Sequence, residues 1–147
     1  MKKLDNKGFT LVEVIAVVVI LSVLSLLIVP SISGLLNRSK ENSYSDLINS
    51  IKLSCVQYIN DNRYNINIGS CNNNGICDVS NVSVSFLVEN GYLTPTGTDS
   101  GVDYIVNPKD KKSKMNMEDS LVKVTFDKNN KRFIYDLNAE DLKWNWY

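Results

Sequence analysis

The stretch that decides the fold is FTLVEVIAVVVILSVLSLLIVP, residues 9–30. It contains the longest apolar run of the chain, and Glu13 is its only charged residue. At about 1.5 Å of rise per residue, a helix over this run matches a hydrocarbon core of about 30 Å. The sequence therefore predicts a membrane-spanning helix.

Glu13 is unusual in this setting, because a carboxylate within such a helix makes membrane insertion costly. Two interpretations are open. In the first, Glu13 lies at the level of the lipid headgroups in the first helical turn, where its charge complements the helix dipole. Alternatively, it waits for a positive partner that another molecule in the membrane supplies.

The segment before the run is MKKLDNKG, residues 1–8, with Lys2, Lys3 and Lys7 against Asp5. By the positive-inside rule, this charge keeps the N-terminus in the cytoplasm. The segment resembles the start of a secretory signal. However, the apolar run is too long for a signal peptide, and no small-residue cleavage site follows it.

The motif KGFTLVEV, residues 7–14, closely resembles the processing site of type IV pilins and pseudopilins, and Pro30 also falls where many of these proteins have a proline. The resemblance covers Lys7 to Pro30. It implies that prepilin peptidase cleaves between Gly8 and Phe9 and that Phe9 is then N-methylated. It also implies that Glu13 neutralises the Phe9 amine of a neighbouring subunit during assembly.

We expect a type IV pilin-like α+β fold, in which one long N-terminal helix packs on a small antiparallel β-sheet head. The predicted segments are a leader (1–8), a transmembrane and assembly helix (9–30), an amphipathic continuation (31–62) and a globular head (63–147). Pro30 predicts a kink, because it lacks a backbone donor. In the amphipathic part, apolar residues recur every three or four positions, at Tyr44, Leu47, Ile48, Ile51, Cys55, Tyr58 and Ile59. The turn formers of NDNRYN, residues 60–65, should end the helix.

Within the head, VSVSFLVENGYL predicts a short helix near residues 83–90, which Gly91 stops. Its Leu-Val…Gly-Tyr-Leu pattern is similar to segments in the heads of pilins from Gram-positive bacteria. The alternating segments LVKVTF and RFIYDL, separated by DKNNK, predict a β-hairpin over residues 121–137. Asp103–Asn107 is a candidate third strand.

Three cysteines permit three single disulfides: Cys71–Cys77, Cys55–Cys71 and Cys55–Cys77. We favour Cys71–Cys77, since it closes a short Asn- and Gly-rich loop, with Cys55 left as a buried thiol on the helix. The spacing is not C-x-x-C and the chain has no His, so we expect neither a metal site nor a redox role for these cysteines.

Three further features of the head are candidate sites. The basic run KDKKSK, residues 109–114, is interpreted as a solvated loop rather than as a contact for DNA, teichoic acid or a host surface. Asp99, Asp103 and Asp110 lack the regular spacing of a calcium loop, although some pseudopilins bind calcium in such a region. The terminal WNWY, residues 144–147, is expected to cover a sheet edge.

The sequence shows no nucleophile with a base, no paired carboxylates and no cofactor loop. We therefore expect no enzyme activity and no cofactor, and the zero net charge gives no reason to expect a nucleic-acid partner.

Three hypotheses follow: a pilus subunit serving adhesion, surface motility or biofilm formation; a pseudopilin of a secretion or DNA-uptake machine; and an uncleaved, single-pass anchored binding module. The first implies that the subunit moves from the cytoplasmic membrane to an extracellular fibre. Its partners would be copies of itself, other pilins, prepilin peptidase, the assembly platform in the cytoplasmic membrane, and a host or surface ligand.

Overall fold

Helix α1 runs over Leu11–Asp61 and is followed by the turns of the Asn-rich segment. The computed structural model describes residues 10–145, and within that range the side chains of all residues except 27–31. The backbone stays helical through residue 30. Asn and Asp side chains compete for backbone groups, which accounts for the end of the helix where they accumulate.

The chain divides into two compact units, one ending at Ser39 and the other beginning at Lys40. In the first unit, the described elements are the N-terminal residues of α1. The second unit contains the C-terminal residues of α1 and every later element. Those elements are β1 (Ile76–Ser83), α2 (Val84–Glu89), β2 (Gly97–Asp99), β3 (Val102–Tyr104), β4 (Lys114–Asn116), β5 (Leu121–Asp127), β6 (Arg132–Asp136), a 3-10 turn (Ala139–Asp141) and β7 (Lys143–Asn145).

The main sheet has three antiparallel strands in the order β1-β5-β6. Two smaller antiparallel pairs, β2–β3 and β4–β7, complete the strands among the described residues. In the main sheet, Val82 pairs with Val122, and Val124 pairs with Tyr135. The predicted α+β class, with a long N-terminal helix followed by antiparallel sheets, is confirmed.

Helix α2 is short, and both of its ends are capped. The Ser83 side chain accepts a hydrogen bond from the Phe86 N–H at the start. At the end, Gly91 adopts a φ of 75°. The N–H groups of Gly91 and Tyr92 then donate to the Val88 and Leu87 carbonyls, which is the Schellman arrangement.

The hydrophobic core of the second unit lies between the amphipathic face of α1 and the main sheet. Ile51, Cys55 and Ile59 of α1 are fully buried, and Tyr44 is nearly so. They pack with buried residues of the later elements, namely Val82, Val84, Leu87, Val88, Leu93, Ile105, Met115, Val122, Val124, Leu137 and Leu142. The spacing of the apolar residues of α1 thus reflects the one helix face that is covered.

The third strand of the main sheet differs from the sequence expectation. It is β1, whereas Asp103 and Tyr104 belong to the separate β2–β3 pair. The register of β1 against β5 shifts between Asp78 and Ser80. This bulge breaks the two-residue alternation that identifies a strand, so the buried residues of β1, Cys77 and Val82, are five positions apart.

Candidate functional site

The first turn of α1 is closed by a capping box between Thr10 and Glu13. The Thr10 N–H and hydroxyl both donate to Glu13 Oε2 at 2.8 Å, and the Glu13 N–H donates to Thr10 Oγ1 at 3.3 Å. These bonds satisfy backbone donors that a helix start otherwise leaves without partners. Glu13 Oε1 accepts no hydrogen bond from the part of the chain that the structure describes.

After this cap, α1 presents apolar side chains on every side. Each residue from 11 to 26 is exposed, including Leu11 at 77% and Leu26 at 77%. The hydroxyls of Ser22 and Ser25 donate to the Val18 and Leu21 carbonyls at 2.7 Å, so they make their hydrogen bonds within the helix. A helix that is apolar all round requires cover from lipid or protein.

No helix among the described residues meets the combined length and hydropathy that a bilayer crossing requires. The transmembrane character predicted for residues 9–30 therefore stays a prediction. Gly8 and Phe9, the predicted cleavage and methylation site, lie outside the described residues. The side chain of Pro30, where we predict a kink, lies outside them as well.

Cys71 and Cys77 form a disulfide. They face each other as an antiparallel bridge, with hydrogen bonds from Asn72 N–H to the Ile76 carbonyl and from Asp78 N–H to the Ser70 carbonyl on either side. Cys55 is a buried free thiol on α1, and burial raises its pKa to about 12. Its thiolate is therefore scarce at neutral pH.

The basic run of residues 109–114 makes specific contacts within the second unit. Lys109 Nζ lies 2.7 Å from Glu41 of α1 and 4.5 Å from the centre of the Tyr44 ring. Asp110 accepts hydrogen bonds from the Lys112 N–H and the Ser113 hydroxyl, which hold its pKa below the ordinary value. Much of the run therefore orders its own turn and anchors it to α1.

The three aspartates considered for calcium each have other partners. Asp99 pairs with Lys114 at 3.8 Å, Asp103 accepts from the Thr98 hydroxyl, and Asp110 caps its own turn. Among the described residues, no three His, Cys, Asp or Glu side chains gather as a metal site would require.

A cleft in the described part of the head has a volume of about 780 Å³. It lies between α2, the β2–β3 pair and β4, and the Lys114 ammonium stands 4.1 Å above the Tyr104 ring within it. The carboxylates of its lining are Glu89, Asp99, Asp103 and Glu118.

The C-terminal aromatic segment is described as far as Asn145. Trp144 lies in β7, which pairs with β4 in the register Met115 opposite Trp144. The Trp144 ring packs 6.0 Å from that of Tyr44, and its Nε1–H donates to the Tyr44 hydroxyl at 3.3 Å. Trp144 thus packs against α1, while Trp146 and Tyr147 lie outside the described residues.

The Thr10–Glu13 capping box is not among the predicted features, although the sequence carries its signal. Thr10-Leu-Val-Glu13 is an S/T-x-x-E pattern directly before a long apolar run. The Lys109–Glu41 contact had no comparable signal, since it joins residues 68 positions apart in sequence.

Comparison with known families gives one match, to the "Prokaryotic N-terminal methylation motif", over residues 3–29. The chain has no significant match among curated proteins or among solved structures. The matched segment contains the Gly8–Phe9 bond, the capping box and most of the apolar run. It implies processing by prepilin peptidase, assembly of the pilin kind and, in general terms, a membrane-anchored subunit that reaches the pilus surface. The match does not reach the segment near residues 83–90 that is similar to pilins from Gram-positive bacteria, so it gives no support to a Gram-positive origin. The motif and the α+β architecture together support a type IV pilin-like or pseudopilin-like protein.

Proposed function

We propose that the chain is a structural subunit of a type IV pilus, with no enzymatic role of its own. Prepilin peptidase cuts between Gly8 and Phe9, Phe9 is N-methylated, and subunits polymerise through the helix of residues 9–30. The fibre then serves adhesion, surface motility or biofilm formation. The observation that carries this proposal is the methylation motif at residues 3–29, within which α1 exposes apolar residues on all sides.

The exposed apolar surface of α1 supports assembly in a nonpolar environment. Leaving so many large side chains in water is unfavourable, at roughly 25 cal/mol for each Å² of apolar surface. Before assembly the bilayer covers residues 9–30, and in the fibre neighbouring helices cover them. The hydrogen bonds of Ser22 and Ser25 to the helix backbone suit both surroundings, because neither hydroxyl needs water.

Glu13 selects the neighbour in this proposal. Cleavage gives Phe9 a free amine, which is a cation at neutral pH with an ordinary pKa of about 8. A docking subunit presents Glu13 to the Phe9 amine of a subunit already in the fibre. Leaving either charge unpaired in a nonpolar interior is strongly unfavourable, so the pair favours subunits that are cleaved and correctly staggered.

Processing is tested by measuring the N-terminal mass of the chain in membrane and sheared-surface fractions of the native host. N-methylated Phe9 as the first residue, in the sheared fraction, is the expected result. The same mature chain confined to membranes, with loss of secretion or DNA uptake on deletion, would assign a pseudopilin instead. A chain that still begins at Met1 in every fraction would refute processing and leave an anchored binding module.

The role of Glu13 is tested by two substitutions that separate its charge from its cap. Gln also fits the third position of a capping box, so Glu13→Gln keeps the cap and removes the charge. Glu13→Val removes both. We expect both variants to insert, to be cleaved and to lose sheared fibres.

Thr10→Ala is the matched control, because it removes the hydroxyl of the cap and retains the carboxylate. We expect its fibre yield to stay close to wild type. Normal fibres from Glu13→Gln would refute charge pairing, whereas fibre loss in Thr10→Ala alone would assign assembly to the cap.

A further inference from the structure

Strand β6 is an edge of the main sheet. It pairs on one side with β5, and within residues 10–145 no strand or isolated bridge pairs along its other side. Its sequence is Arg-Phe-Ile-Tyr-Asp, residues 132–136, with the two charged residues exposed at its ends. An edge of this kind offers backbone groups to another strand.

The hydrogen-bond pattern of the sheet identifies which groups of β6 are offered. The Lys128 N–H donates to the Gly75 carbonyl, so these two residues form a hydrogen-bonded pair. Hydrogen-bonded and non-hydrogen-bonded pairs alternate in an antiparallel ladder, so the next pair, Ile76 with Asp127, is not hydrogen-bonded. The backbone groups of Asp127 therefore point away from β1 and toward β6. Arg132 is paired with Asp127, so its backbone groups point inward, toward β5. Successive residues of a strand point their backbone groups to alternate sides, so those of Phe133 and Tyr135 point outward, away from β5. The free edge of β6 therefore presents two N–H and two C=O groups.

We propose that β6 pairs in antiparallel fashion with β6 of a second copy, about a two-fold axis at Ile134. This register sets Phe133 opposite Tyr135 of the second copy, and the reverse, so four backbone hydrogen bonds form. The two three-stranded sheets become one sheet of six strands. The contact is isologous, as expected for a symmetric pair, and it does not depend on cleavage or on fibre assembly.

The charges of β6 are complementary in this register. Arg132 lies opposite Asp136 of the second copy, and Asp136 lies opposite the second Arg132, so both cross-strand pairs carry opposite charges. Among the described residues, the carboxylate of Asp127 lies 3.9 Å from the Arg132 side chain, which is 69% exposed. A shift of one residue would set outward groups against inward ones, and a shift of two would leave the Arg132–Asp136 pairs unmatched.

Side-chain directions also permit the contact. Phe133 and Tyr135 pack against the core on one face of the sheet, so Arg132, Ile134 and Asp136 project from the other face. Pairing at the edge leaves the core contacts in place.

Cysteine cross-linking of the full chain in detergent micelles tests the register. Ile134→Cys places two thiols directly opposite each other at the axis, where Cα atoms of a non-hydrogen-bonded pair are about 4.5 Å apart, within disulfide range. Thr125→Cys is the matched control, because Thr125 pairs with Ile134 on the same face but lies one strand inward. Its two copies would be three strand spacings apart, about 14 Å, beyond disulfide reach.

We expect a covalent homodimer from Ile134→Cys under mild oxidation and essentially none from Thr125→Cys. Equal yields from both variants, no dimer from Ile134→Cys, or cross-linking to a different protein would each overturn the proposal. Cys55 is buried and is present in both variants, so any cross-linking through it would be the same in both.

Charge reversal in the Ile134→Cys background tests complementarity. Asp136→Arg opposes like charges at two sites and should lower the dimer yield by about tenfold. The double variant Arg132→Asp/Asp136→Arg restores opposite charges and should restore the yield. Failure of the double variant to recover, with an unchanged unfolding midpoint that shows the head to be folded, would overturn the proposal.

Discussion

Breaking the Cys71–Cys77 disulfide should lower the free energy of unfolding by about 2 kcal/mol. The bond joins residues six positions apart, and loop-closure entropy for so short a loop gives a value of that size. In the folded head the loop is already ordered. Asn72 Oδ1 accepts from the N–H groups of Asn74 and Ile76, and the Asn129 side chain donates to the Asn74 carbonyl. The bond therefore acts mainly on the unfolded chain.

The assay is urea unfolding of the full chain in micelles, with tryptophan fluorescence as the signal, because Trp144 packs on Tyr44. Oxidised and reduced wild-type protein are compared first, since reduction changes no side-chain volume beyond the bond itself. Cys71→Ala/Cys77→Ala should unfold at least as readily as the reduced protein, because Cys77 is buried and its sulfur is lost.

Cys55→Ala provides the control for losing a buried sulfur without losing a bond. Unfolding free energies of oxidised and reduced protein that agree within about 0.5 kcal/mol would refute the loop-entropy reasoning. A loss well above about 4 kcal/mol would refute it too, because the folded loop would then depend on the bond for its structure.

Four further predictions concern the second unit. Leu87→Ala should lower the unfolding free energy by about 2–5 kcal/mol, because Leu87 is fully buried, while Val102→Ala at an exposed site should change it by less than about 0.5 kcal/mol in the same urea titration. Gly91→Ala should cost about 1 kcal/mol in that assay, because φ is 75° at this position; an unchanged midpoint would contradict the Schellman cap. Cys55 should resist alkylation at pH 8 until urea unfolds the head, as mass spectrometry would report, since its pKa is about 12; rapid labelling of the native protein would contradict its burial. Hydrogen bonds from the Asn130 side chain and N–H lower the pKa of Asp127 in the folded protein. The ionised Asp127 therefore stabilises the fold above its unfolded pKa of about 3.9, and this stabilisation is lost as the pH falls below that value. Asp127→Asn should therefore show a smaller fall in melting temperature between pH 5 and about 2, and an identical fall would contradict this.

The parts of the fold that could be predicted are those with local periodic signals. The apolar run after Phe9 and the three- and four-residue spacing from Tyr44 to Ile59 both lie on α1, and the alternation of residues 121–137 corresponds to β5 and β6. Each of these patterns is complete within a short segment of sequence, a few helical turns or a few strand residues long. None of them requires knowledge of distant partners.

The missed parts depend on interruptions and on long-range contacts. Strand β1 has the composition of a strand, but the register shift after Asp78 breaks its alternation, and the preceding Asn-Gly loop suggested a turn. At the candidate site, the family motif and Glu13 were visible in sequence. The contacts of Lys109 with Glu41 and Tyr44 were not, because only tertiary folding brings residues so far apart in sequence together.

The capping box changes how the role of Glu13 should be understood. The first turn of a helix leaves N–H groups without partners, and in lipid no water can satisfy them. Glu13 Oε2 provides such a partner by accepting from the Thr10 N–H, yet this bond does not neutralise the carboxylate, whose Oε1 accepts no hydrogen bond from the described residues. The two interpretations that the sequence left open are therefore compatible. One oxygen of Glu13 closes the helix, and in the proposed assembly the remaining charge pairs with the Phe9 amine of a neighbouring subunit. A glutamine satisfies the first requirement and not the second, so the fibre yield of Glu13→Gln measures the charge alone.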